Sequence, residues 1–202
     1  MDQTFCKKSG VIIIHIRSIL PLLIIVLVII PETVSSNTIG DIDHDLFDYV
    51  NKVDNGFLDS AMPIVQGMGD PKFYLAICAI LSGFGNERMF ETGKLASAAF
   101  VESGIIVFLM KESIGRSRPS DITEKDSFPS GHSTLAFTMA TVAGNQYPKL
   151  RIPLYIGAIG TAFARVYLGR HYPSDVLAGA AIGTLVGIQI SHFRNTIMEF
   201  SF

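Results

Sequence analysis

Three short stretches carry residue types that could act together on one anion. The first ends an apolar run, where Lys111 is followed seven residues later by Arg118 and then Pro119. Lysine offers a compact positive point, and arginine a planar fork that matches phosphate oxygens. Basic residues at a helix end are common in their own right, so this pair gains meaning only beside the others. The second stretch, Pro129-Ser130-Gly131-His132, opens another apolar run. Ser130 and Gly131 stand where a starting helix presents unpaired backbone N–H groups, which makes a ready anion site, and a glycine there lets an anion approach the backbone closely. The third stretch places Arg165 six residues before His171, with Asp175 four residues further on. Pro173 suits a first helical position, so His171 lies just ahead of a second helix N-terminus. Asp175 is then in reach of the imidazole. A carboxylate on one ring nitrogen fixes the tautomer and frees the other nitrogen for attack. A histidine taken singly is more often structural. Taken together, Lys111, Arg118 and Arg165 with two helix N-termini describe a cage for a dianionic phosphate. His171 and His132 supply a nucleophile and a proton donor. No carboxylate cluster or histidine spacing suggests a metal.

The elements that must position these residues are helices. The chain has 202 residues, of which 49% are hydrophobic and only 17% charged, against about 25% charged in an ordinary soluble domain. The length fits one domain, the apolar content excludes a disordered chain, and a net charge of -2 gives no general pull on nucleic acid. After residue 70 come apolar segments at 73–84, 95–110, 133–144, 152–164 and 176–190. Each is shorter than the roughly 20 residues that cross a bilayer, and polar helix ends must extend them. Gly179, Gly183 and Gly187 fall at four-residue spacing, the small-residue pattern of close helix packing in membranes; here it packs helices within the chain. Glu102 is the one charge within its run and belongs in the bundle interior, as a hydrogen-bonded or protonated carboxyl of structural role.

The N-terminus directs the chain to a membrane. Lys7, Lys8 and Arg17 precede an apolar stretch over 18–30, with small residues at 34–36. Residues 1–36 read either as a signal peptide or as a first membrane span. Cys78 is then unpaired from Cys6 and acts as a small apolar residue. Residues 37–70 are acidic and read as short amphipathic helices at a wet extracytoplasmic surface. A calcium loop around Asp41, Asp43 and Asp45 fails, because Leu46 and Lys52 stand where glycine and glutamate are needed. With residue 40 outside, counting helices brings all three motifs to the outer face. Arg88, Lys94, Lys149, Arg151 and Arg194 then fall in inner loops, as the positive-inside tendency expects.

These motifs, in this order and spacing, resemble the signature of the type 2 phosphatidic acid phosphatase superfamily. Lys111, Arg118 and Pro119 match its first motif, residues 129–132 its second, and Arg165, His171 and Asp175 its third. Ala164 departs, standing where the family usually has serine. The resemblance covers roughly residues 40–192. It implies an all-α, multi-span helical bundle with a six-helix-type phosphatase core over 71–195. It also implies a multi-pass enzyme of the cell (inner) membrane whose site faces the extracytoplasmic side. In such an enzyme His171 would attack phosphorus and become a phosphohistidine, and Asp175 would orient it. His132 would protonate the leaving oxygen and then activate water. Lys111, Arg118, Arg165, Ser130 and Gly131 would hold the phosphate, with no metal or other cofactor. The motifs read the phosphate and not the lipid tail, so phosphatidic acid, phosphatidylglycerophosphate, undecaprenyl pyrophosphate and a lipid A phosphate all stand as substrates. A soluble exported acid phosphatase and a vanadate-dependent haloperoxidase share the cage. A membrane scaffold that kept the fold is the non-enzymatic alternative. The motifs are silent on oligomeric state.

Overall fold

A computed structural model describes residues 37–53 and 55–199, with side chains from residue 40 onward. The expected signal peptide or first span over 1–36 lies outside these residues. Among the described residues there are eight α-helices: α1 (Asn37–Asn51), α2 (Gly56–Val65), α3 (Pro71–Phe84), α4 (Glu87–Ile114), α5 (Gly131–Gln146), α6 (Arg151–Tyr167), α7 (Pro173–His192) and the short α8 (Arg194–Met198). No strand occurs among them, which agrees with the all-α expectation. The described residues from 41 to 199 form a single compact unit, so those before residue 70 pack with the helices that follow.

The helix ends follow ordinary capping chemistry. Asp70 accepts a hydrogen bond from the Lys72 N–H at 2.7 Å and starts α3. Asn86 does the same for α4, from the Met89 N–H at 3.0 Å. α4 stops at Gly115, whose φ of 60° is left-handed and whose N–H returns to the Lys111 carbonyl at 3.0 Å. Lys111 is therefore fixed in the last turn.

α5 is the central helix. It is flanked by α4, α6 and α7, and Leu135, Ala136, Ala140 and Val142 are buried. Its seam with α7 is built on the glycines at four-residue spacing. A Cβ added at Gly179 would meet the Ser130 carbonyl oxygen at 2.6 Å, one at Gly183 the Thr134 carbonyl oxygen at 2.2 Å, and one at Gly187 the Thr141 Cβ at 2.5 Å. This is close backbone packing within the chain, as the spacing predicts. Ser103 and Thr138 join α4 to α5 by a buried hydroxyl pair at 3.0 Å. Glu102 is buried and accepts a hydrogen bond from Gln189 at 2.9 Å, tying α4 to α7. Cys78 is buried and free.

α4 and α7 are long and apolar enough to cross a membrane. On the outside of the bundle, Val101, Ile105 and Phe108 of α4 and Ile152, Ile156, Ile159 and Phe163 of α6 are exposed. The α6 residues recur at helical spacing, an apolar stripe that suits lipid rather than water. At 16 residues α5 is only about 24 Å long; as the enclosed helix it need not match the bilayer itself.

Candidate active site

The three motifs meet at one end of the bundle. Asp126 and Ser127, two consecutive residues in the loop before α5, join them. Asp126 receives Lys111 Nζ at 3.1 Å and the fork of Arg118, with Nε at 2.7 Å and Nη2 at 2.8 Å. Lys111 also donates to the Asp126 backbone carbonyl. Arg118 Nε lies 3.0 Å from Glu124 as well. Arg118 thus grips a planar oxyanion in the bidentate manner expected toward phosphate. Its hydrogen bonds hold the Asp126 carboxyl well below the usual carboxylate range.

Ser127, the next residue, donates from Oγ to Asp175 Oδ2 at 2.6 Å and lies 3.5 Å from His171 Nδ1. His171 Nδ1 is 3.7 Å from Asp175 Oδ2, so the serine hydroxyl and the carboxylate both face this ring nitrogen. Nδ1 is thereby the ring nitrogen turned toward Asp175. His171 is 2% exposed and Asp175 fully buried. Burial pushes the His171 imidazole below its ordinary pKa; Asp175 pulls it back up, and Arg165 and Arg118 press it down again. The neutral ring, which carries the lone pair a nucleophile needs, is therefore favoured.

Backbone contacts lock this geometry. The His171 and Arg170 N–H groups donate to the Arg165 carbonyl at 3.3 and 3.0 Å, which folds motif three into a tight turn after α6. The Ser130 N–H donates to the Asp175 carbonyl at 3.0 Å, joining the starts of α5 and α7. Asp175 also caps its own helix, accepting from the Tyr172 N–H at 2.9 Å. Arg165 is buried and donates from Nη1 to Gln66 at 2.6 Å, while its buried Nε has no hydrogen-bond partner among the described residues. A charged N–H of that kind is costly unless an anion meets it. Gly131 is not demanded by packing, since a Cβ there would meet Val107 at an ordinary 3.7 Å. His132, on the first turn of α5, lies 4.0 Å from Asp70.

All eight residues singled out by the motifs, Lys111, Arg118, Ser130, Gly131, His132, Arg165, His171 and Asp175, thus belong to this end of the bundle. Sequence reasoning passed over Asp126, Ser127, Arg116 and Asp43. Arg116 donates to Asp175 Oδ1 at 2.6 Å and to Asp43 Oδ2 at 2.6 Å. Asp43 differs from the other acidic residues of its helix: it is 3% exposed, because Arg116 and Ser174 neutralise and hydrogen-bond it. Its neighbours Asp41, Asp45 and Asp48 are exposed as expected. Among the described residues no three His, Cys, Asp or Glu side chains converge in a way that would hold a metal ion.

A family model described as the PAP2 superfamily matches residues 92–199. The lipid A 1-phosphatase of Rhizobium etli is 29% identical over a 149-position alignment that covers 59% of this chain and 64% of that protein. An undecaprenyl-diphosphatase of Bacillus subtilis is 36% identical over 76 residues, 37% of this chain and 38% of that one. The chain therefore spans less than two thirds of either relative. A crystal structure of a transmembrane PAP2-type phosphatidylglycerolphosphate phosphatase from Bacillus subtilis superposes with a TM-score of 0.75 at 24% identity, covering 89% of this chain and 97% of that one. It shares the fold.

Proposed function

This chain belongs to the PAP2 superfamily, and from that premise we propose that it is a membrane phosphatase releasing phosphate from a lipid phosphate or pyrophosphate. The observation that carries the reading is the consecutive pair Asp126–Ser127. It brings the cations Lys111 and Arg118 beside the His171–Asp175 pair, as a phosphoryl transfer site needs.

His171 attacks phosphorus through the nitrogen not turned toward Asp175. The N–P bond forms as the P–O bond to the lipid breaks, and His132 gives its proton to the leaving oxygen. Water then attacks the phosphohistidine; His132 takes the water's proton, and the N–P bond breaks to release inorganic phosphate. Asp175 and Ser127 hold the His171 ring through both steps. Lys111, Arg118, Arg165, Ser130 and the backbone at Gly131 receive the equatorial oxygens and their developing charge. These cations fill the electrostatic role, and the proposed steps call on no metal.

The site faces the extracytoplasmic side, with the bundle crossing the inner membrane several times. The opposite end supports that orientation: Arg88 bonds the Gln146 carbonyl, Arg151 bonds Asn145 at 2.7 Å, and Arg194 pairs with Glu91 at 2.5 Å, a basic end suited to the cytoplasm. The exposed apolar stripes favour a membrane enzyme over a soluble exported acid phosphatase. The experiment is a panel of lipid phosphates in detergent, with inorganic phosphate measured in buffer containing EDTA. Wild type should release phosphate and His171→Ala should not, while still inserting in membranes. Full activity of that variant, or loss of wild-type activity to the chelator, would refute the mechanism.

A further inference from the structure

Asp175 is held from two sides. Its Oδ2 takes Ser127 and the Tyr172 N–H, on the side of His171. Its Oδ1 takes Arg116 Nη1, which also donates to Ser174 Oγ at 2.7 Å. The other arm of the fork, Nη2, donates to Asp43 Oδ2. Asp43 is itself fixed by the Ser174 N–H on Oδ1 at 2.8 Å and the Ser174 hydroxyl on Oδ2 at 2.6 Å. The Tyr172 ring covers the guanidinium at 4.3 Å, and His44 and Phe47 of α1 pack against that ring at 4.8 and 5.5 Å. Arg116 is thus a rigid bridge from the carboxylate beside the nucleophile to a buried aspartate on an outlying helix. Only arginine, with a planar fork, can join both carboxylates at hydrogen-bond length in this way.

We propose that Arg116 and Asp43 are positioning residues for the reaction: Arg116 fixes the Asp175 carboxylate so that its other oxygen is aimed at Ser127 and His171, and Asp43 fixes Arg116. The inference rests on the phosphatase reading. Both residues act through Asp175, so they bear on the rate of the chemical step and not on how tightly the lipid phosphate is held. Helix α1 is thereby part of the catalytic assembly.

The test uses the full chain in detergent, with the lipid phosphate that wild type hydrolyses best. Asp43→Asn keeps the shape and removes the charge; Arg116→Lys keeps the charge and removes the fork. Asp45→Asn, exposed on the same helix, is the control. Each single variant should lower kcat about tenfold, within the up to ~10²-fold that a displaced catalytic group costs, with KM within about twofold. The double variant should be no slower than the slower single one, because both changes break one chain of contacts. Asp45→Asn should match wild type. Unchanged kcat per folded molecule, losses that multiply, a rise in KM alone, or loss of the thermal transition in both single variants would each overturn the proposal. A wild type inactive on every lipid phosphate sinks the phosphatase reading instead, and does so before any variant is compared.

Discussion

Replacing Gly183 with alanine should damage both the fold and the chemistry, and the structure sets the size of the effect. The added methyl would lie 2.2 Å from the Thr134 carbonyl oxygen, 3.0 Å from its carbon and 3.0 Å from the Thr138 nitrogen. All three are backbone atoms of α5, so no side chain can swing aside. Opening the closest contact to 3.0 Å, the nearest approach that real Cβ atoms make, requires about 0.8 Å of movement between α5 and α7. Overpacking of this kind costs about 1–3 kcal/mol. The two helices carry the halves of the site, with Ser130 to His132 at the start of α5 and Asp175 in the first turn of α7. A displacement near 1 Å in such a site costs up to about 10²-fold in rate. Thermal unfolding and kcat on a lipid phosphate check both numbers. Gly104→Ala, which adds a methyl with nothing within 4 Å, should be neutral or slightly stabilising, by up to about 1 kcal/mol from helix propensity. Gly131→Ala should unfold like wild type but raise KM, because its methyl fits the protein and obstructs only a bound anion. Wild-type Tm and kcat in Gly183→Ala would refute the close-seam account.

Two further outcomes follow from charges around the site. Asp126→Asn frees Lys111 and Arg118 from an internal anion, so KM and the inhibition constant of inorganic phosphate should both fall; Asp126 is 47% exposed, which limits the change to roughly two- to fivefold, and a rise in KM would contradict it. His171 has its folded pKa lowered by burial, so between that value and the unfolded value of about 6.5 the unfolded chain binds more protons. Stability should therefore fall as pH drops from about 6.5 toward the folded value, and His171→Gln should lose that part of the slope in Tm against pH. Parallel curves for the two proteins would count against the buried neutral imidazole.

The helical bundle was legible because apolar runs and turn residues punctuate the chain clearly. The ends were less so: α4 begins at Glu87, eight residues before the apolar run at Leu95, since Asn86 caps it and the small buried Thr92 and Gly93 let that polar turn pack. Lys111, Arg118, Ser130, His132, Arg165, His171 and Asp175 stood out because each motif is short and straddles a helix end, so its members are close in the chain as well as in the fold. Asp43 and Arg116 were not, because they meet across 73 residues and nothing near Asp43 in sequence distinguishes it from the exposed Asp41 and Asp45. Ser127 escaped for the same reason, as its partner Asp175 is 48 residues away. The close packing at Gly179, Gly183 and Gly187 was legible because small residues repeat along one helix face.

The phosphoenzyme tests the central claim most directly. Wild-type protein mixed with a lipid phosphate labelled at phosphorus and quenched rapidly in alkali should carry the label on His171, in a bond stable to base and labile to acid, at a level that rises and decays with turnover. His132→Ala should accumulate or slow that species, and His171→Ala should never form it. Phosphate release at the wild-type rate with no label on His171, or with label on another residue, would contradict the account.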